Sequence, residues 1–246
     1  MSPAGFVDVH AHVVPSGDDG ATSIDDGLDL CRMAVDSGTR VLFATPHAHA
    51  PWDSYPLTPV RRRLYEHAFP VMRDTVAGWG LDLRRGWEVF PTVLAADGDT
   101  DLDEYRLGGT SAVLVEFPGG WLDYPDPIPM MNDAGERLEA AGLVPVLAHP
   151  ERCTAVVDDP SIVTALAERG WLLCLNSTSL LGSHGIPPEQ TAWRLIDGGV
   201  VSLVASDAHR RGRPPVLDEA YRAVETRYGK DAALPLFDGS SLPWNG

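Results

Sequence analysis

The chain has 246 residues and a hydrophobic fraction of 44%, enough to bury a full core, and we expect residues 1–246 to form a single domain. No apolar run reaches membrane-spanning length, and Met1–Gly20 lacks the basic and apolar regions of a signal peptide, which predicts a cytoplasmic protein without membrane insertion. The formal net charge of -16 argues against nucleic-acid binding, because phosphate contacts need clustered Lys and Arg.

Seven hydrophobic runs alternate with amphipathic stretches along the chain. The runs are predicted strands at Phe6–Val9, Val41–Ala44, Leu81–Val89, Ala112–Val115, Val144–Leu147, Trp171–Leu175 and Val201–Ala205. The stretches between them are predicted helices near 23–37, 57–78, 129–141, 159–169, 188–198 and 216–229. Several of these helices are followed by a glycine of the kind that ends helices, namely Gly38, Gly142, Gly170 and Gly198. Strands that alternate with helices predict an α/β fold with parallel strands, and a closed barrel would bring both ends of the chain into one pocket.

Side chains of the kinds that bind metals stand at the ends of most predicted strands. His10 and His12 share one face of the first strand, roughly 7 Å apart at Cα, because strand side chains alternate with period two. Asp207 and His209 repeat this spacing after the last strand. The other positions at strand ends are His47, Glu88, Glu116 and His149. In a parallel barrel the C-terminal strand ends meet at one face, so we expect these groups to converge there.

With Asp19 added, the chain offers nine candidate metal ligands, five imidazoles and four carboxylates. They are His10, His12, Asp19, His47, Glu88, Glu116, His149, Asp207 and His209. This mixed nitrogen and oxygen set suits manganese, iron, zinc or cobalt, and argues against calcium or an iron–sulfur cluster. Nine ligands exceed the need of one ion, so two or three divalent ions fit. Three ions would leave a surplus of positive charge that binds a phosphate.

The motifs around these residues resemble those of one superfamily. They are Asp8-x-His10-x-His12, Gly17-Asp18-Asp19-Gly20, Ala44-Thr-Pro-His47, Glu88, Glu116-Phe-Pro, Ala148-His-Pro-Glu-Arg152, Ala205-Ser-Asp-Ala-His209 and Arg213-Pro-Pro. In this order they resemble the PHP (polymerase and histidinol phosphatase) superfamily. More narrowly, they resemble the capsule-type CpsB/CapC-like protein-tyrosine phosphatases of Gram-positive bacteria, which act in capsule and exopolysaccharide biosynthesis.

The resemblance implies a distorted (β/α)7 TIM-like barrel that holds three divalent ions, with manganese expected first and iron, zinc or cobalt as alternatives. One ion would bind His10, His12, Glu88 and Asp207, the second Glu88, Glu116 and His149, and the third Asp19, His47 and His209. A hydroxide that bridges the metals would attack phosphorus.

The resemblance also assigns roles beyond metal binding. Arg152 and Arg213 would hold the phosphate, and they are predicted to be catalytic together with the two ligands Asp207 and His209. From general metal-site chemistry, we expect Asp8 to orient a histidine. Asp18 is predicted to be only a loop residue.

The function predicted on this basis is the hydrolysis of phosphotyrosine in a protein, for example the tail of a bacterial tyrosine kinase. One alternative is the same chemistry on histidinol phosphate or on a sugar or nucleotide phosphate. Another is a regulatory barrel without catalysis, but the presence of all nine ligand types argues against it. A hydrolase of C–N bonds related to amidohydrolases would commonly use a strand lysine, and the single lysine, Lys230, lies outside the motifs.

Several residues keep more than one interpretation. His49 is an alternative ligand, a proton donor to the leaving group, or an exposed residue. Arg210 and Arg211 are additional to the pattern of the group, and they put the fit of the substrate in question. Trp52, Tyr55 and Arg61–Arg63 either line the mouth for a partner protein or belong to the packing and the solvated face of a helix.

The three cysteines, Cys31, Cys153 and Cys174, are predicted to be reduced, because their number is odd and their spacings are unrelated. Tyrosine phosphatases with a cysteine nucleophile need an arginine six residues after the cysteine. The residues at those three positions are Ser37, Asp159 and Leu180. The sequence therefore excludes the Cys-x5-Arg mechanism.

Overall fold

The computed structural model describes residues 5–49, 54–95, 101–118 and 126–245. Within them the strands are β1 (Phe6–Ala11), β2 (Thr39–Ala44), β3 (His47–Ala48), β4 (Asp82–Arg85), β5 (Glu88–Val89), β6 (Ala112–Glu116), β7 (Val144–Ala148), β8 (Leu172–Asn176) and β9 (Val201–Ala205). The helices are α1 (Ile24–Asp36), α2 (Pro59–Ala77), α3 (Pro91–Ala95), α4 (Ile128–Ala140), α5 (Thr154–Asp158), α6 (Ser161–Glu168), α7 (Ser177–Leu180), α8 (Ile186–Asp197), α9 (Asp218–Tyr228) and α10 (Lys230–Ala233).

The strands occupy seven positions around a closed barrel. One sheet has the order β1-β2-β4 and the other the order β3-β5-β6-β7-β8-β9, and the chain runs from β2 into β3 and from β4 into β5 through a bend. Backbone hydrogen bonds from Asp207 to His10 (2.8 Å) and from His12 to Ala208 (2.7 Å) join the segment after β9 to β1. All pairs of named strands are parallel, so the predicted α/β fold with parallel strands is confirmed.

The prediction of one continuous strand over Leu81–Val89 is wrong, because this segment forms β4 and β5 with a bend at Gly86. A Cβ atom at Gly86 would lie 2.8 Å from Leu107 Cδ2 and 2.9 Å from Thr45 Cγ2, so a larger residue in this break would require both side chains to shift. The bend places Glu88 in a separate short strand, paired with His47 of β3.

The predicted helices all form, with changes at their ends. The helix predicted near 159–169 is α6, and the short helix α5, which was not predicted, precedes it and is separated from it at Asp159–Pro160. After α8 the left-handed backbone falls on Gly199 (φ 67°), one residue beyond the predicted Gly198, which stays right-handed (φ -75°). None of the described helices combines the length and the apolar composition that crossing a bilayer requires.

Two buried clusters make up the core. The larger lies between the strands and the helices, and the smaller fills the barrel interior. Strand side chains alternate between these two sides, and the inward rows end in polar groups. On β6 the interior residue Leu114 precedes Glu116, and beyond β9 Ala205 precedes Asp207. The C-terminal ends of the inward rows therefore carry carboxylates into one end of the barrel.

We predict that Gly27→Ala destabilises the fold by about 1–3 kcal/mol, as overpacking of a filled site does. A Cβ atom at Gly27 of α1 would collide with the carbonyl oxygen of Val13 and the thioether of Met72. Helix propensity alone would favour alanine by about 1 kcal/mol. The sign of the change in unfolding free energy therefore shows whether overpacking or helix propensity has the larger effect. Urea unfolding of the metal-free protein measures the change.

Gly78→Ala is the matched control, because Gly78 follows α2 with φ -64° and the nearest atom to an added Cβ is Thr75 O at 3.4 Å. It should unfold at nearly the wild-type urea concentration. A Gly27→Ala protein as stable as this control would contradict the packing described for α1.

Candidate metal centre

The structure brings all nine predicted ligands together at the C-terminal end of the barrel. They form four overlapping clusters in which the ligand atoms lie within 4.8 Å of one another. The clusters are His12 with Asp19, His47 and His209; His10 with His149 and Asp207; His10 with His12 and Glu88; and His47 with Glu88 and Glu116. His10 and Glu88 lie on strands and His149 and Asp207 directly after strands, as the sequence predicted for one face of a parallel barrel.

Glu88 lies at the centre of the site and is fully buried. Its Oε2 lies 3.2 Å from His10 Nε2, 3.2 Å from His12 Nε2 and 3.1 Å from His47 Nδ1, while Oε1 lies 3.0 Å from His149 Nε2. Despite these approaches, Oε2 makes no hydrogen bond of acceptable geometry among the described residues. Two atoms that each bind an ion at about 2.1 Å come to lie about 3 Å apart, so close approach without hydrogen bonding is the arrangement of ligands around an ion.

Asp207 divides its carboxylate between two surroundings. Its Oδ1 faces imidazoles, at 3.3 Å from His10 Nε2 and 3.5 Å from His209 Nδ1. Its Oδ2 accepts hydrogen bonds from Arg152 Nη1 at 2.9 Å and from Arg213 Nη2. Asp207 thus presents one oxygen to the candidate ligands and the other to two guanidinium groups.

Asp19 forms the outer edge of the cluster, with its side chain 48% exposed. Its Oδ1 lies 3.7 Å from His47 Nε2 and 3.5 Å from His209 Nε2. The carboxylate therefore joins imidazoles that come from opposite ends of the chain. It is also the most exposed carboxylate of the set, so this side of the site faces the solvent.

Burial keeps the rings of His10, His47 and His149 neutral in the absence of an ion. It lowers the pKa of His47 to about 4, against the opposing charge of Glu88, and it also lowers the pKa values of His10 and His149. Burial, followed by the repulsion from Glu88, raises the pKa of Glu116 well above its ordinary value. Neutral imidazoles are the form that binds metals, and a divalent ion would displace the proton of Glu116.

Four buried ligand atoms have no hydrogen-bond partner within the described part of the chain. They are Glu88 Oε2, Glu116 Oε2, His47 Nδ1 and His149 Nδ1. An unpaired buried polar atom costs about 1–3 kcal/mol, and four at one place are too many for a site that binds nothing. The residues present therefore fit divalent metal ions.

Asp18 has a role that the sequence analysis missed when it assigned this residue only to a loop. Its side chain is fully buried, and its Oδ2 lies 2.8 Å from His12 Nδ1 and accepts the backbone N–H of His47 at 3.0 Å. Burial opposes both charges, but the pairing raises the pKa of His12 to about 9 and lowers that of Asp18 to about 2. Asp18 fixes the ring of His12 so that Nε2 faces Glu88, as carboxylates behind metal-binding histidines do.

Asp8 contacts backbone and not an imidazole ring, unlike the expected role. Its Oδ1 accepts the N–H groups of His10 at 3.3 Å and of Ser206 at 3.0 Å. It thereby ties β1 to the segment that follows β9. Asp18, rather than Asp8, is the carboxylate that orients a histidine.

Arg61 is neither a partner surface nor a solvated helix residue. It is buried, and its guanidinium donates to the carbonyl oxygens of Ser16 at 2.9 Å and His47 at 2.7 Å. Tyr55 stacks on the His47 ring, with centroids 5.5 Å apart and planes 1° apart. These two side chains therefore brace His47 from the protein side, while Trp52 lies outside the described residues.

Arg152 and Arg213 converge on one carboxylate oxygen at the edge of the cluster. Burial, and then the charge of Arg152, lower the pKa of Arg213 to about 10, at which it remains protonated at neutral pH. Arg213 Nε is buried without a hydrogen-bond partner in the described ranges. Two guanidinium groups held together beside a spare donor have the charge and the donors to bind a doubly charged anion.

The other residues with open interpretations lie further out. Arg210 and Arg211 are exposed, and Arg211 pairs with Asp29 of α1. His49 is half-buried in the loop after β3 and belongs to none of the four clusters of described residues. Its backbone N–H donates to Tyr55 O at 2.9 Å.

Two ligands have a left-handed backbone that side chains other than glycine rarely adopt. His149 has φ 41° and Asp207 has φ 52°. Such conformations cost about 1–3 kcal/mol and persist where the surrounding structure enforces them, commonly at functional sites. They turn both side chains into the cluster immediately after a strand ends.

Comparisons with known proteins agree with this geometry. A family model described as capsular polysaccharide synthesis, CpsB/CapC, matches residues 6–240. The chain is 28% identical to the tyrosine-protein phosphatase YwqE of Bacillus subtilis over 96% of its length and 91% of the relative. It is also 28% identical to the putative tyrosine-protein phosphatase CapC of Staphylococcus aureus, over 88% and 82% of the two chains.

A solved structure supports the same relationship. It comes from a study of YwqE from Bacillus subtilis and CpsB from Streptococcus pneumoniae, described as unique metal-dependent tyrosine phosphatases. The TM-score is 0.76 at 27% identity, with 94% of this chain and 91% of the other covered. The architecture and the sequence thus match the same group of proteins.

We predict that the Asp18–His12 pair stabilises the metal-free protein most between about pH 4 and 6.5, by about 1–3 kcal/mol. The lowered pKa of Asp18, about 2, means that its contribution is present above pH 4 and is lost as the pH falls through 2. The raised pKa of His12, about 9, means that its contribution is present below pH 6.5 and is lost as the pH rises through 9. Urea unfolding across this range measures the effect.

Asp18→Asn keeps the shape of the side chain and removes its charge, so it isolates the ion pair. The difference in unfolding free energy between wild type and Asp18→Asn should be largest near pH 5 and should shrink towards both ends of the range. A difference that stays constant with pH would show that the pair is not ionised as described.

Proposed function

This chain belongs to the CpsB/CapC family, and we propose that it is a metal-dependent phosphomonoesterase that acts on phosphotyrosine in proteins, with residues 1–246 as one domain. The observation that supports this most is the meeting of the nine metal-type ligands with two arginines on one side of Asp207. Metal-type ligands alone would suit many hydrolases. The added guanidinium pair suits a substrate with a doubly charged phosphate group.

We propose that the site holds three divalent ions, manganese first among the candidates. His10, His12, Glu88 and Asp207 would hold one ion, Glu88, Glu116 and His149 another, and Asp19, His47 and His209 the third. When bound, such ions supply a nucleophilic water of lowered pKa and positive charge that offsets the developing charge on the phosphoryl oxygens. Glu88 is the one residue assigned to two ions, so the nine residues would fill ten ligand places.

The side chains of the protein supply position and charge. Arg152 and Arg213 would turn from Asp207 Oδ2 towards the oxygens of the phosphate, which are also anionic and offer more acceptor sites. Burial strengthens these contacts because little water competes with them. Asp18 and Arg61 hold the His12 ring and the His47 loop, so the ligands are in place before the substrate arrives.

The family description and the relatives suggest the biological substrate. YwqE is a tyrosine-protein phosphatase and the family is one of capsular polysaccharide synthesis. We therefore propose a phosphotyrosine protein of a capsule or exopolysaccharide system as the substrate, with the tail of a bacterial tyrosine kinase as the first partner to test.

The direct test is a parallel assay of the purified protein with added manganese. Phosphotyrosine peptides, phosphoserine peptides, histidinol phosphate, nucleotides and sugar phosphates are compared by kcat/KM. We expect the phosphotyrosine peptides to be hydrolysed fastest. A higher kcat/KM for any of the small-molecule phosphates would replace this substrate assignment and leave the metal chemistry in place.

We predict that Arg152→Ala and Arg213→Ala each lower kcat/KM for an aryl phosphate by a factor equivalent to about 1.5–3 kcal/mol, because each removes charge-assisted hydrogen bonds. Arg211→Ala is the control, since Arg211 is exposed and pairs with Asp29. It should retain nearly the wild-type kcat/KM. Unchanged kinetics in both Arg152→Ala and Arg213→Ala would show that these arginines do not hold the phosphate.

We also predict that activity depends on metal and not on thiols. Cys31, Cys153 and Cys174 are all buried, and burial raises their thiol pKa values, that of Cys31 to about 12. A triple Cys→Ala variant should therefore keep most of its activity. A strong chelator should abolish that activity and manganese should restore it.

Circular dichroism and metal analysis of the triple variant serve as controls for folding and loading. Loss of turnover in a folded and metal-loaded triple variant would contradict the proposed chemistry. So would full activity of the wild type after thorough removal of metal.

A further inference from the structure

A chain of side-chain hydrogen bonds runs from the edge of the site to the carboxylate of Asp207. His184 Nε2 lies 3.0 Å from Thr178 Oγ1, and Thr178 Oγ1 lies 2.6 Å from Asn176 Oδ1. Asn176 Nδ2 then donates to Asp207 Oδ2 at 3.0 Å. Of these four residues, only Asp207 is a candidate metal ligand.

The chemistry of the groups fixes the direction of each bond. Asn176 Oδ1 can only accept, and it accepts both the backbone N–H of Thr178 at 3.1 Å and the Thr178 hydroxyl. The hydroxyl proton is thereby used, so Thr178 Oγ1 accepts from His184, which must carry its proton on Nε2. With its oxygen held on this side, the amide of Asn176 has to present its N–H to Asp207.

The fold builds this chain from consecutive elements. Asn176 is the last residue of β8 and is buried, in the same inward row as Cys174 of the barrel interior. Thr178 lies in the one-turn helix α7, whose N-terminus Asn176 caps. The turn that follows returns the chain, with Ser183 N–H bonded to Thr178 O at 2.9 Å, and sets the half-buried His184 against Thr178.

His184 is neutral in this position. Burial, and then the nearby charges of Arg152 and Arg213, lower its pKa to about 4. A neutral ring with its proton on Nε2 leaves Nδ1 without a proton. The histidine therefore donates one hydrogen bond to Thr178 and adds no positive charge to the arginine pair.

The Asn176 bond differs from the other bonds that Asp207 Oδ2 accepts. The bonds from Arg152 and Arg213 are those with which a phosphate competes, because both guanidinium groups would turn towards it. The amide of Asn176 is held by Thr178 and stays with Asp207. When the arginines bind a phosphate, the Asn176 amide is thus the partner that keeps Asp207 Oδ2 directed away from the imidazoles. The other oxygen, Oδ1, then stays directed towards His10.

We propose that Thr178 and His184 are positioning residues that act through Asn176 to hold the Asp207 carboxylate in its metal-binding orientation. This rests on the proposed function only in taking Asp207 as a metal ligand. Partners behind a ligand typically change metal affinity or activity by roughly 10- to 100-fold, and residues one or two bonds further away should have smaller effects. We expect roughly 3- to 10-fold weaker binding when the chain is interrupted.

Calorimetric titration of the metal-free protein with manganese, without any phosphate ester, is the test. Thr178→Val removes the hydroxyl and keeps the shape, whereas Thr178→Ser keeps the hydroxyl. His184→Leu removes the donor, whereas His184→Gln keeps an N–H donor near the position of Nε2. Thr39→Val is the matched control, since Thr39 is buried at the start of β2 and its hydroxyl has no hydrogen-bond partner in the described structure.

We expect weaker manganese binding in Thr178→Val and His184→Leu, and affinity close to wild type in Thr178→Ser, His184→Gln and Thr39→Val. Because the residues act in series, the double variant Thr178→Val/His184→Leu should bind no more weakly than Thr178→Val alone. Unfolding of each metal-free variant in urea controls for loss of the fold. If Thr178→Val does not fold, the comparison of His184→Leu with His184→Gln provides the same test, because His184 is only half-buried.

The proposal is overturned if Thr178→Val and His184→Leu both bind manganese as tightly as Thr39→Val does. It is also overturned if the losses of affinity in the double variant are fully additive. Because no phosphate ester is present, a wrong substrate assignment leaves this result unchanged. Absence of manganese binding in the wild type would refute the metal assignment itself, and the positioning role with it.

Discussion

The site depends on one buried negative charge, the Glu88 carboxylate, and on the imidazoles gathered around it. Four histidines approach its two oxygens within 3.0–3.2 Å, three of them at Oε2, which makes no acceptable hydrogen bond among the described residues. A carboxylate in such a place is stable only when positive charge compensates it. In the metal-free protein the protonated His12 supplies part of that charge, because, against the effect of burial, Asp18 and Glu88 raise its pKa to about 9. Divalent ions would supply more positive charge, so metal binding would also stabilise this end of the barrel.

The convergence of the candidate ligands was predictable from the sequence because of where a parallel barrel puts the ends of its strands. A histidine or carboxylate after a hydrophobic run can be placed without knowing any contact, as His149 and Asp207 show. The interruption between β4 and β5 was not predictable from hydrophobicity. Leu107 and Thr45, from other parts of the chain, lie close to Gly86 in this break, and such contacts are not visible in a hydrophobic run.

The supporting residues were missed for a related reason. Asp18 in a loop, Arg61 in α2 and Asn176 at the end of β8 contact candidate ligands or the backbone beside them. Their residue types are also those of ordinary turns and solvated surfaces. Asp18 reaches His12 only because the loop after β1 folds back, and Arg61 reaches His47 from a helix that begins twelve residues later. Sequence patterns predict the ends of strands well, but they predict contacts between separate segments of the chain poorly.

The seam between β1 and the segment after β9 also sets an order of events during synthesis. It joins residues 198 positions apart, as the bond from Ser206 to Asp8 shows. On a ribosome that adds about 5–20 residues per second, His10 and His12 emerge about 10–40 s before Asp207 and His209. For that interval the nascent chain already carries Asp19, Glu88 and Glu116 but lacks Asp207, one of the carboxylates beside His10. The nine candidate ligands therefore meet only when the barrel closes, so the geometry of the candidate site is a property of the finished fold and not of the emerging chain.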